Sequence, residues 1–217
     1  MFRALLWTQW RESRIAVLLL AAIALVAPVL SMNRLGPATE PWHAWDLLSA
    51  SMRWSSSYPI VALLAAIALA TGAWRPDHRT RHVYALSLPI RRSRYLLLRY
   101  AAGLTLLLGI GAALLAGATI AVLRVQVPPL LHTYPVGLAL RFCMAGLVAY
   151  TLLFSVSGLT PRAARLLAAL LLLLIIASLV ADLLGLGWNP VERAMDALLS
   201  PYSPLSIFRA RWMLVDV

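Results

Sequence analysis

The stretch "IAVLLLAAIALVAPVLS", Ile15 to Ser31, contains no charged residue and a single hydroxyl, that of Ser31. A run of this kind leaves the chain few choices. In hydrocarbon each backbone N–H and C=O must be satisfied within the segment, and an uninterrupted apolar run does that as an α-helix. Spanning a core of about 30 Å takes roughly 20 such residues. Four more runs qualify, so the sequence predicts five transmembrane helices, over about 15–31, 58–74, 98–123, 136–157 and 164–186. Tyr58 and Trp74 bracket the second at positions suited to the two membrane interfaces. A secretory leader is the competing reading of the first run, because Arg3, Arg11 and Arg14 precede it. No small-residue cleavage site follows it and further spans do, which favours a retained helix.

Composition agrees. The chain is 62% hydrophobic and 12% charged, with mean hydropathy +0.82, whereas soluble domains are about half apolar and a quarter charged. The fold class expected is therefore all-α integral membrane, a single domain over 1–217. The net charge of +11 does not point to nucleic acid, because the arginines cluster at the ends of apolar runs and not along a soluble face. All 19 basic residues are arginine. Cys143, the only cysteine, permits no intrachain disulfide.

Arginine placement sets the expected topology. Three precede the first span, seven lie between the second and third (Arg75, Arg79, Arg81, Arg91, Arg92, Arg94, Arg99), and Arg162 and Arg165 follow the fourth. Six lie on the other side: Arg34, Arg53, Arg124, Arg193, Arg209 and Arg211. The richer side is cytoplasmic by the positive-inside rule, which places the N-terminus in the cytoplasm; the membrane expected is the cell's inner (plasma) membrane. Orientation accounts for Arg75, Arg79 and Arg99. Residues 1–14 put Phe2, Leu5, Leu6 and Trp10 on one helical face and suit a helix lying on the inner membrane surface. Near the other end, Asn189 as N-cap, Pro190 in the first turn and Glu192 predict a short outer helix over 189–200, stopped by Pro201.

The segment "RHVYALSLPIRRSRYLLLRY" holds most of the basic cluster around a Leu-Pro break. Leu86, Ser87, Leu88, Pro89, Ile90, Arg91 and Arg92 resemble the phrase that leads from a cytoplasmic coupling helix into the third membrane helix of type 2 ABC exporter permeases. The resemblance covers nearly the whole chain in the order of its elements, and its specific part is about ten residues. It implies a half-transporter: two permease chains, identical or related, with two copies of a cytoplasmic ABC ATPase. It also implies coupling of that ATPase through Val83, Tyr84, Leu86, Ser87, Leu88, Pro89, Arg91 and Arg92. The chain has no GxxxxGK[ST] loop and no lysine to place in one. ATP and Mg would accordingly bind the partner, with no cofactor and no catalytic residue in this chain. The family carries an acid before the coupling helix, often glutamate; here Asp77 is the only acid of that approach. The family's sixth span has no counterpart among the five found here.

Other residues carry two readings each. Gly109, Ala113 and Gly117 form a small-residue stripe that serves either packing within one chain or a dimer seam. Asp182, close to the outer end of span five, and Arg141, one turn into span four, suit either a translocation path or snorkelling to the interface. Glu40, His43 and Asp46 are too loosely spaced for a zinc site, so no metal is expected; Trp42 and Trp45 suit a short outer helix at headgroup level. A non-transporting scaffold or accessory subunit of a larger membrane complex is the alternative function, with the basic loop gripping lipid headgroups or a partner.

Overall fold

The computed structural model describes residues 1–32, 43–79, 91–125, 127–128, 131–158, 173, 177, 193, 196–209 and 211–216. The described chain is mostly helical. In order, its elements are α1 (Phe2–Met32), α2 (His43–Trp54), α3 (Ser57–Arg79), α4 (Arg92–Arg124), β1 (His132–Thr133), α5 (Pro135–Ser157), a 3₁₀ helix (Pro204–Arg209) and β2 (Val215–Asp216). Among the described residues four helical stretches are long and apolar enough to cross a membrane: α1, α3 together with most of α2, α4 and α5. They make the chain a membrane protein. Their outward faces carry large apolar side chains, among them Ile15, Leu18, Ile60, Leu97, Leu140 and Met144, as lipid contact requires. The fifth expected span, 164–186, lies outside the described residues except at 173 and 177. So do the coupling segment 82–89 and Asp182.

Residues Met1–Phe154 and Arg211–Val217 make one compact unit, and Ser155–Ala210 a second. In the first, α1 packs most extensively on α4 and also on α3. Small residues make these approaches possible. Ala62, Ala65, Ala66, Ala70 and Ala73 of α3 are all buried. A Cβ on Gly117 would run into the Leu25 backbone of α1, including its carbonyl carbon at 2.7 Å. On the α5 side, Gly111 admits the Cys143 sulfur, and Gly146 admits the Leu107 side chain. The expected stripe therefore divides: Gly117 serves packing within the chain, whereas a Cβ on Gly109 would meet nothing within 4 Å and Ala113 is half-buried.

One expectation needs correction. Residues 1–14 are not a separate surface helix; α1 runs unbroken from Phe2 to Met32 through Pro28. The reason is that Gln9 and Ser13 are buried and continue the seam of Val17, Leu20, Ala24 and Ala27 at helical spacing. Tyr58 and Trp74, which bracket the second span, face the interior of the bundle, being 2% and 7% exposed. The all-α expectation holds, with one short addition near the end of the described chain: β2 pairs antiparallel with β1, His132 opposite Asp216 and Thr133 opposite Val215. The Ser51 hydroxyl of α2 accepts the Leu214 N–H at 3.0 Å and ties this strand to the bundle. In the second unit, residues 193 and 196–198 are helical, within the short helix expected over 189–200.

Candidate functional site

Three buried helical seams end in polar residues at the same end of the bundle, the end where α1 begins, α3 finishes and α4 starts. On α3 the four-residue row Ala65, Leu69, Ala73 leads to Asp77, which is 1% exposed. On α4 the row Leu107, Gly103 leads back to Arg99, 5% exposed, and Tyr95. On α1 the seam ends in Ser13 and Gln9. Side chains four apart on a helix share a face, so each polar residue is carried inward by the apolar seam behind it.

Asp77 and Arg99 form a buried ion pair. The Arg99 guanidinium also donates to the Tyr95 hydroxyl, and that hydroxyl donates to the Asp77 carboxylate, 3.3 Å from Oδ1. Trp74 and Tyr95 complete the setting, since the guanidinium carbon lies 5.3 Å from the centroid of each ring. An arginine set over aromatic faces and matched by a carboxylate has its charge neutralised. Trp74 is held in turn by α5, its indole N–H donating to the Phe154 carbonyl at 2.8 Å and its ring 5.1 Å from that of Phe154. Tyr100 and Tyr150 stack at 5.2 Å, and the Tyr100 hydroxyl lies 2.7 Å from that of Thr151.

α1 joins this cluster from the side. The Gln9 amide donates to the Leu69 carbonyl at 3.3 Å. A Cβ on Gly103 would collide with the Tyr150 hydroxyl and lie 2.6 Å from the Gln9 amide nitrogen, so glycine there lets α1, α4 and α5 converge. A narrow cleft lined by Gln9, Gly72, Pro76 and Arg99 marks the meeting of α1, α3 and α4. Arg75 is exposed, with Glu12 of α1 at 4.0 Å.

The consequence is mechanical. Asp77 lies two residues before the end of α3, and Tyr95 and Arg99 lie in the first two turns of α4. The ion pair therefore clamps together the two helices that flank the basic connection. Charges removed from water in this way are costly unless they are paired and hydrogen-bonded, and here they are both. Of the expected coupling residues, Arg91 and Arg92 are described and exposed, beside exposed Arg94, at the mouth of this clamp; Val83 to Pro89 lie outside the described residues. The sequence reading assigned Arg99 to orientation alone and noted Asp77 only as an acid in the approach. The signal that identifies them is the four-residue spacing from Ala73 and Gly103.

At the opposite end, Arg141 lines a cavity of about 350 Å³ with Tyr134, Gly137, Arg211, Met213 and Asp216. A cleft of about 550 Å³ between α1 and α2 is lined by Ser31, Asp46, Ser49, Arg53 and Trp54. Comparison with protein-family models, with curated proteins and with solved structures finds no match to this chain.

Proposed function

We propose that this chain is the membrane-spanning subunit of an ATP-driven exporter, coupling a separate cytoplasmic ATPase to the movement of a hydrophobic or amphipathic substrate. The observation that carries the reading is the buried Asp77–Tyr95–Arg99 clamp at the base of the basic connection. A push delivered to a segment between two clamped helices reaches both helices together and is not lost in the loop. The Leu-Ser-Leu-Pro-Ile-Arg-Arg phrase inside that connection supplies the kind of partner. In this reading the N-terminus is cytoplasmic, in the inner membrane. The ATPase would couple through Val83, Tyr84, Leu86, Ser87, Leu88, Pro89, Arg91 and Arg92. ATP and Mg belong to the ATPase, present in two copies, and a second permease chain completes the path. The open surface at Gly109 is available to that second chain, and Asp182 is the charged residue of the path, whereas Arg141 takes its other reading, with its side chain directed to the interface.

The test is purification of the native complex in mild detergent, with mass spectrometry of its components. A stoichiometric ATPase bearing a phosphate-binding loop supports the exporter reading. Recovery with large membrane subunits and no ATPase would replace it with the scaffold reading. Leu86→Asp with Leu88→Asp should abolish ATPase association while membrane insertion is retained; full association of the double variant contradicts the coupling assignment.

A further inference from the structure

The cavity at the opposite end has a charge problem that the clamp does not. Arg141 is half-buried and Arg211 lies at the rim, and both line the same space of about 350 Å³. Among the described residues neither arginine has an ion pair or hydrogen bond. Among the described residues of the lining Asp216 is the one acid, so these residues carry one more positive than negative charge. Its walls are firmly built. β1 and β2 are paired, the Tyr134 N–H donates to the Leu214 carbonyl at 2.9 Å, and Trp212, Leu214 and Val215 are 2%, 0% and 1% exposed. Arg211–Val217 and α5 as far as Phe154 belong to one compact unit, so the two arginines are presented by a single body.

The size and charge of this space suit one oxyanion, and guanidinium groups present planar donor forks to phosphate oxygens. The surface beside it narrows the source. Val136, Leu140 and Met144 of α5 are 57%, 59% and 57% exposed and follow one another at four-residue spacing. They form an apolar track running from the cavity's level along the membrane-facing side of the helix. A ligand with a phosphate head and an acyl chain uses both features, whereas a free phosphate uses only the first.

We propose that Arg141 and Arg211 form a binding site for the phosphate of an anionic phospholipid, whose acyl chain lies along Val136, Leu140 and Met144. The site does not depend on the exporter reading and would operate equally in a scaffold. Its role is to neutralise two otherwise unpaired guanidinium groups with a lipid and to seat α5 and the β1–β2 pair at the membrane surface.

Dioctanoyl phosphatidylglycerol is titrated into the detergent-purified chain and bound lipid is counted by native mass spectrometry. Wild type, Arg141→Gln with Arg211→Gln, and the charge-matched control Arg3→Gln with Arg11→Gln are compared, with circular dichroism confirming the fold of each. Loss of charged hydrogen bonds predicts about tenfold or greater weakening for the Arg141/Arg211 variant and no change for the control. Equal binding by all three overturns the site, and equal weakening of both variants reduces it to general electrostatics and overturns it too. In a second arm sn-glycerol 3-phosphate is added in competition with the lipid. Failure to compete supports a phospholipid; competition at equal concentration overturns the acyl-chain track and assigns the cavity to a soluble phosphate.

Discussion

The two ends of the helical bundle treat arginine in opposite ways. At the end where α4 begins, Arg99 is carried inside by its seam and meets Asp77 and Tyr95 of the same chain. At the other end, Arg141 and Arg211 line a cavity whose described lining holds a single acid, Asp216. A buried charge matched inside the chain becomes a fastener between helices, and its removal is felt as lost stability. A charge matched only in part leaves a demand for an anion from outside the chain, and its removal is felt as lost binding. The same side chain thus does mechanical work at one end and recognition at the other, and burial plus the supply of carboxylates decides which.

The largest effect should come from breaking the fastener on one side only. Asp77→Ala leaves Arg99 charged and without its carboxylate, which for a buried pair costs about 3–5 kcal/mol; thermal unfolding in detergent should show a loss of that size. Arg141→Gln, at the other end, should change stability far less in the same assay, and a comparable loss there would erase the contrast. A smaller effect tests the seams themselves. Gly117→Val drives a side chain into the Leu25 backbone and, as overpacking, should cost about 1–3 kcal/mol. Gly109→Ala, on open surface, should be close to neutral for stability in the same unfolding measurement. A destabilising Gly109→Ala would show that a second chain already packs there.

Much of the fold was legible because hydrocarbon imposes it. The runs from Ile15, Tyr58, Leu98 and Val136 each fall within an observed helix. Their ends were less legible, because a polar residue at a membrane boundary reads as the end of a span. In α1, Gln9 and Ser13 instead continue the helix, being on its packed face. The same reasoning hid the clamp. Counted as a loop charge, Arg99 sets orientation; read on the row with Gly103 and Leu107, it belongs inside. Nothing local in His132–Thr133 or Val215–Asp216 announces a strand, since two residues show no alternation. Their pairing joins positions more than eighty residues apart and becomes visible only in the folded chain.

The most direct test of the account is a double-mutant cycle on the clamp. Asp77→Ala, Arg99→Met and the double variant are compared with wild type by reversible unfolding in mixed micelles. If the two side chains fasten α3 to α4, the double variant is less destabilised than the sum of the singles by at least about 2 kcal/mol. If the two effects add to within about 0.5 kcal/mol, Asp77 and Arg99 are independent, and α3 and α4 are not clasped at the base of the basic connection.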